Sequence, residues 1–427
     1  MTVKMWSSRN PAHVDDARLW DHWLGRALAW WRLSSYAYMR LYCSRLLQRH
    51  LYNFSSILQM GSRYPSLPNS SVVHPHVIRL LGQNPGIMTL QGTNSYLVGA
   101  EEGPRILIDT TGGEVAAISK YVDLLQSVLQ NPIHLVPTPM PEPPISTILL
   151  THWHPDHTEG IAAVQDLVRK LSPSLPDPTP EVYKSPEGPD LKAIGYYDGL
   201  LKVLDEKMTF SPPGSPSVTL KPIFTPGHSV DHMCFALSVN DTVECVFVGD
   251  LLLGFGTTIV LDLPAYMRSL EVLREFVVKC NNPKLCFMPA HGEVITDPVT
   301  KIDEYLAIRK KQINKTRDGL LTNPKDTWLR ENSLVEQIYP STVAKMKQLA
   351  MNNLRQCLFW LQAQETTDFH ISEPVTASTK EARCESDFKK ATAIARPGYL
   401  PEVLNEEWLW KWTSAEKTCN NHLFDHS

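Results

Sequence analysis

A layered α/β fold is predicted by three observations. Short apolar runs, each bounded by Gly or Pro, recur along the chain and have the length of buried strands. Between them lie stretches with apolar residues at helical spacing, such as Val115, Ile118, Val122, Leu125 and Val128. Several of the runs also stop abruptly at a cluster of polar side chains, as expected where loops beyond strand ends build a site. With 427 residues, 43% of them hydrophobic, the chain can carry one large domain and accessory units.

Val77–Leu81 reads as a strand, Thr89–Val98 as a second after a turn at Asn84-Pro85-Gly86, and Arg105–Asp109 as a third. Glu114–Gln130 is amphipathic and predicts a helix, and the proline-rich 132–144 predicts a surface loop. Ile145–Leu150 is the next strand, and a helix is expected from Gly160 to Leu171. The proline cluster 173–189 reads as another loop, bordering the expected cleft. Pro222–Phe224, Glu244–Gly249 and Lys284–Met288 read as strands, and Tyr266–Val278 as a helix. Helices are expected again over Thr300–Leu320, Ser333–Tyr339 and Val343–Leu361, and a closing strand over Glu406–Trp412. The domain division is an N-terminal extension (1–73), a catalytic domain (74–297), a helical unit (298–362), a flexible polar insertion (363–396) and a tryptophan-rich tail (397–427).

The chemistry is concentrated after Leu150, in Thr151-His152-Trp153-His154-Pro155-Asp156-His157. Three imidazoles and a carboxylate within six positions exceed what core packing calls for, and imidazole suits zinc and similar borderline metals. One loop then offers more ligands than a single tetrahedral ion takes from it, which points to two neighbouring ions. Further ligands are expected at other strand ends, where His228, Asp250 and His291 stand.

This pattern resembles the metallo-β-lactamase superfamily, with its H-x-H-x-D-H run and a distant His, Asp and His. The closer resemblance is to a β-lactamase-like subfamily that includes fungal polyketide acyl-carrier-protein thioesterases and an animal mitochondrial endoribonuclease. It is carried by Leu81-Gly82-Gln83-Asn84-Pro85-Gly86, Thr89 to Val98, Leu107-Ile108-Asp109-Thr110, Thr225-Pro226-Gly227-His228, Asp231-His232-Met233, Gly249-Asp250 and Gly256-Thr257-Thr258, and covers about residues 74–360. It implies an αββα sandwich with a small winged-helix-like tail. It also implies that His152, His154 and His228 hold one Zn2+, that Asp156, His157 and His291 hold a second (Mn2+ or Fe being alternatives), and that Asp250 bridges them. The activity implied is hydrolysis by a metal-bridging hydroxide, with Asp156 as a catalytic proton shuttle. Asp109 falls where the superfamily keeps a structural aspartate, while Thr111 and Phe255 depart from the subfamily pattern. Asp231 and His232 are expected to orient His228, and Thr93, Asn94 and Tyr96 to face the cleft.

The stretch His228 to Phe235 lies nearer the fungal branch. The expected partner is therefore an acyl carrier protein domain or its acyl thioester, with single-stranded RNA as the alternative and no DNA. The net charge of −4 offers no global basic field for a polyanion. Eight cysteines without paired spacing read as reduced thiols of an intracellular protein, with the cytoplasm expected first and the mitochondrion as the alternative. The extension 1–73 has nine Lys+Arg against three Asp+Glu and no acid between His22 and Arg63, so membrane-surface contact or targeting is a reading it permits.

Overall fold

The computed structural model describes residues 64–99, 103–130, 143–340 and 347–364, with the short stretches 370–371, 375–376 and 408–413. Most of the N-terminal extension, most of the loop 132–144 and most of the polar insertion lie outside these residues. Two compact units divide at Asn314/Lys315.

The unit ending at Asn314 is built on two sheets. Seven strands run side by side in chain order: β1 (Ser70–His74), β2 (Val77–Leu81), β3 (Asn94–Val98), β4 (Arg105–Ile108), β5 (Ile145–Leu149), β6 (Glu181–Lys184) and β7 (Leu201–Val203). The first four pair antiparallel and the last four parallel. The second sheet holds β8 (Val218–Phe224), β9 (Met233–Val239), β10 (Thr242–Gly249) and β11 (Cys286–Pro289) in the order β11-β10-β9-β8. Between the sheets, Val77, Tyr96, Ile106 and Leu149 pack with Val218, Phe235, Phe247 and Met288 in one apolar cluster. β2, β3 and β4 are buried along their whole length, so both faces of this sheet are covered.

The helices among its described residues are α1 (Val115–Gln130), the single turn α2 (Pro155–Thr158), α3 (Ile161–Leu171), α4 (Leu263–Cys280) and α5 (Pro298–Leu321). α1 and α3 pack against each other, and α1 also meets β2. α4 starts where Asp262 accepts a hydrogen bond from the Ala265 N–H (2.9 Å), with Pro264 in the first turn. It ends at Asn281 in the left-handed region.

Differences from the sequence reading have local causes. The sheet begins at Ser70, inside the stretch assigned to the extension. The strand expected from Thr89 starts only at Asn94, because Leu90 (φ 54°) and Gly92 (φ 133°) take conformations no strand allows. The loop 173–189 contains β6, whose Glu-Val-Tyr-Lys run is hidden between prolines, and β9 is a strand beyond those expected.

From Lys315 on, the chain forms the rest of α5, then α6 (Glu331–Ile338) and α7 (Lys347–Ala363). Trp408–Trp410 pairs with Leu329–Arg330 and Val375–Thr376 in a small antiparallel sheet, and Trp412–Thr413 pairs with His370–Ile371. Residues 408–413 of the tryptophan-rich tail thus pair within this unit. Trp410 is buried against Phe359, and its indole N–H donates to Glu331 (3.0 Å). Arg355 closes on the same carboxylate with three contacts of 2.7–3.1 Å. Five cysteines (234, 245, 280, 286 and 357) are free thiols, and no helix of the described residues is long and apolar enough to cross a membrane.

Candidate metal centre

β5 delivers the chain into the centre, and two backbone preferences shape the loop beyond it. A residue before proline is pushed out of the helical region, and His154 sits at φ −57°, ψ 148°. Pro155 then opens α2, where its missing N–H costs nothing. This abrupt change from extended to helical chain places Asp156 and His157 close to His152 and His154. Across from it Gly112 must be glycine, since a Cβ there would collide with the Pro155 carbonyl. Asp109, at φ 57°, leaves β4 so that its carboxylate accepts from the Thr151 N–H (2.8 Å), the Thr151 hydroxyl (2.7 Å) and His157 Nδ1 (2.8 Å). Thr111 donates to the Gly82 carbonyl (2.6 Å) and its own carbonyl accepts from the Gly160 N–H (2.7 Å), so the altered turn is anchored to both neighbours.

All seven expected ligands converge. One group holds His152, His154, His228 and Asp250, and another holds Asp156, His157 and His291; within each group the ligand atoms lie within 4.8 Å of one another. The carboxylate of Asp250 spans them, with Oδ2 3.5 Å from His228 Nε2 and Oδ1 3.1 Å from His291 Nε2.

The donor atoms fit metal ions. Thr151 gives its hydroxyl proton to Asp109, so it accepts from His152 Nδ1 (3.0 Å) and leaves His152 Nε2 bare. His228 Nδ1 faces the Ile259 carbonyl (2.9 Å), which leaves its Nε2 bare as well. Two lone pairs therefore confront each other at 3.2 Å, with His154 Nδ1 at 2.8 and 3.0 Å from them. Nitrogens bound to one tetrahedral zinc at 2.0–2.1 Å stand roughly 3.3 Å apart. Burial, then the neighbouring imidazoles, hold His152 and His154 well below the usual histidine range, in the neutral form that binds metal.

The second group carries the opposite charge balance. Burial works against a proton on His291, yet Asp250 and Asp156 outweigh it and raise the group to about 10. His157 is likewise raised, burial being overcome by Asp156 and Asp109. Burial opposes ionisation of Asp156, but His157 and His291 hold its carboxyl well below the usual range. His157 Nε2 and Asp250 Oδ1 make no hydrogen bond although both are buried. A cation held between these two atoms would satisfy both.

Other expected residues take different posts. Neither Asp231 nor His232 orients His228; Ile259 and Thr258 do that, the latter with its hydroxyl 3.0 Å from His228 Nδ1. Asp231 instead pairs with Lys184 of β6 at 2.9 Å in a buried ion pair, and His232 turns to the backbone of Asp250. Thr93 does reach the centre, donating to Asp156 Oδ2 (3.2 Å), but Asn94 and Tyr96 donate to the Pro289 carbonyl (3.0 and 2.7 Å) and so steady the end of β11 before His291. Phe255 is 47% exposed and meets Tyr64 edge-on at 4.7 Å. The sequence motifs include Thr151 and Thr258 without giving either a role, and patterning gives no sign of Lys184 or of the pair Tyr305 and Arg309. Tyr305 accepts from the Leu253 N–H (3.0 Å), and Arg309 donates to the Thr258 carbonyl (2.7 Å) while lying over Tyr266.

Comparison with known proteins agrees with this geometry. The sequence profile of the metallo-beta-lactamase superfamily matches residues 88–287. A lactamase-like protein nscB of Aspergillus fumigatus is 42% identical over 250 residues, 58% of this chain and 62% of that protein, so the match spans less than two thirds of that relative. An atrochrysone carboxyl ACP thioesterase of Aspergillus chevalieri is 35% identical over 284 residues, 66% of this chain and 77% of the other. Among solved structures, a beta-lactamase domain protein from Burkholderia ambifaria shares the fold, with a TM-score of 0.52 at 16% identity over 74% of this chain and 92% of its own.

Proposed function

Because the chain belongs to the metallo-beta-lactamase superfamily, we propose that it is a dinuclear, zinc-dependent hydrolase that cleaves an acyl thioester carried by an acyl carrier protein. The observation that carries the hydrolase reading is that the Asp250 carboxylate faces both donor sets, one of them presenting the bare Nε2 atoms of His152 and His228. Two bound ions would acidify a shared water and polarise the scissile carbonyl. The thioester reading is supported by the relative named as an ACP thioesterase.

The chain's own groups then have defined tasks. The carboxylate of Asp156, set between His157 and His291 with Oδ2 3.3 Å from each Nε2, accepts the proton lost by the attacking water. It returns that proton to the sulfur as the C–S bond breaks, so the acid and the free thiol leave with charges balanced. Thr93 fixes Oδ2 of this carboxylate. Phe255, exposed and met edge-on by the half-buried Tyr64, follows Gly254, whose N–H bonds the His291 carbonyl (2.8 Å), and offers apolar surface where an aryl acyl chain would lie.

The test is direct. Zinc-loaded protein is given an aryl polyketide thioester on a carrier protein and, separately, a labelled single-stranded RNA. Release of the acid with the RNA left intact is expected. Cutting of the RNA without thioester turnover would overturn the substrate assignment.

A further inference from the structure

We infer that His232 is a positioning residue for the shared carboxylate: its Nε2 accepts the backbone N–H of Asp250 and thereby sets where that residue's side chain enters the centre. The inference rests on the dinuclear reading above and extends it to a residue outside the ligand set.

The contact is 3.1 Å long and entirely buried. Its direction is fixed, since an amide N–H only donates. His232 must therefore keep Nε2 bare and carry its proton on Nδ1, which faces the Thr225 hydroxyl at 2.9 Å. That hydroxyl in turn lies 3.3 Å from Cys234 Sγ. The His232 carbonyl also accepts from the Thr225 N–H (3.0 Å), so the imidazole is held at both edges and by its own backbone. The chain is thus Asp250 N–H to imidazole, imidazole N–H to hydroxyl, and hydroxyl to thiol, with one tautomer consistent throughout.

Room for the ring comes from Gly249. This residue closes β10 at φ 48°, and a Cβ on it would stand 2.5 Å from His232 Nε2 and 3.0 Å from Thr151 Cβ. The Gly-Asp pair therefore does two things: the glycine turns the chain out of the strand and admits the imidazole, and the imidazole then takes the next N–H. Without that acceptor the N–H of Asp250 would be buried and unpaired, a penalty relieved by rotating the peptide and moving the carboxylate. Since Asp250 faces both donor sets, such a shift should weaken both at once.

The experiment uses the full chain, stripped by chelation and titrated with Zn2+ alone, with bound metal counted by elemental analysis. His232→Phe keeps a ring but offers no acceptor, whereas His232→Gln can place its amide oxygen where Nε2 stood. His232→Phe should bind both zinc ions about 10–100-fold more weakly, and His232→Gln should recover most of the loss. Nitrogen NMR of the metal-free protein should show His232 protonated on Nδ1, and the Asp250 amide should exchange faster in His232→Phe than in His232→Gln. Equal zinc binding by wild type and His232→Phe, or equal loss in both variants, would overturn the inference and leave the hydrolase reading intact. Failure of the wild-type protein to bind zinc at all would overturn both.

Discussion

The two donor sets share the loop beyond β5 yet solve opposite electrostatic problems. Around His152, His154 and His228 the ligands are held below the usual histidine range, all three by burial first and His152 and His154 also by neighbouring imidazoles. Around His157 and His291 the ligands stand among ionised carboxylates and are raised toward the protonated form. Their outer contacts differ in the same sense. His157 Nδ1 rests on the carboxylate of Asp109, whereas His228 Nδ1 rests on a backbone carbonyl and a hydroxyl. In the metal-free protein the second set can balance its charge with protons, while in the first set the bare Nε2 atoms of His152 and His228 share the one proton that His154 Nδ1 can offer. The lesson is that convergence of ligands does not make two sites equivalent.

The largest test of this asymmetry is Asp250→Ala beside His154→Ala. The first should lower zinc in both sets and the second mainly in the nitrogen set, and turnover should vanish in either. Two ions retained by Asp250→Ala, counted by elemental analysis, would break the assignment of a shared ligand.

Next comes Asp109→Ala against Thr258→Val. Removing the carboxylate behind His157 should cost about 10–100-fold in zinc affinity. Thr258→Val should cost less, because the Ile259 carbonyl still holds His228. The reverse order would show that hydroxyl support outweighs the carboxylate.

A pH titration of chelated protein separates the sets by sign. His291, raised to about 10 from an ordinary 6.5, stabilises the fold fully below pH 6.5 and loses that contribution as pH climbs through about 10. His152 and His154 are lowered from 6.5, so the unfolded chain takes up protons first and stability falls as pH drops below 6.5. Denaturant midpoints should therefore be highest near neutrality, and His291→Gln should flatten the alkaline limb. An unchanged alkaline limb in that variant would refute the paired state of His291.

The smallest effect is expected from Phe255→Ala, which touches neither set. Zinc binding should be unchanged and KM should rise roughly fivefold, about 1 kcal/mol of lost apolar contact.

The ligands are legible in the sequence because histidine and aspartate at strand ends have few other uses, and the strands before them are continuous apolar runs. The illegible contacts have a common cause. Those of His228 with the Ile259 carbonyl, and of His232 with the Asp250 N–H, engage backbone atoms that every residue carries, so no residue type announces them. Proximity in sequence points to Asp231 for His228, but the chain turns it toward Lys184, a partner 47 positions earlier on β6. That strand is itself masked by its flanking prolines.

The grip of Tyr305 and Arg309 on the segment 253–258 bears on how this protein can be dissected. Both residues lie beyond 297, where the sequence alone would end the catalytic domain. A fragment cut there would keep every expected ligand and still lose the clamp on the Thr258 carbonyl, leaving His228 on a slack tether. Excision of an autonomous metal-binding unit should therefore retain the first four turns of α5, and the shorter piece should fold yet load metal poorly.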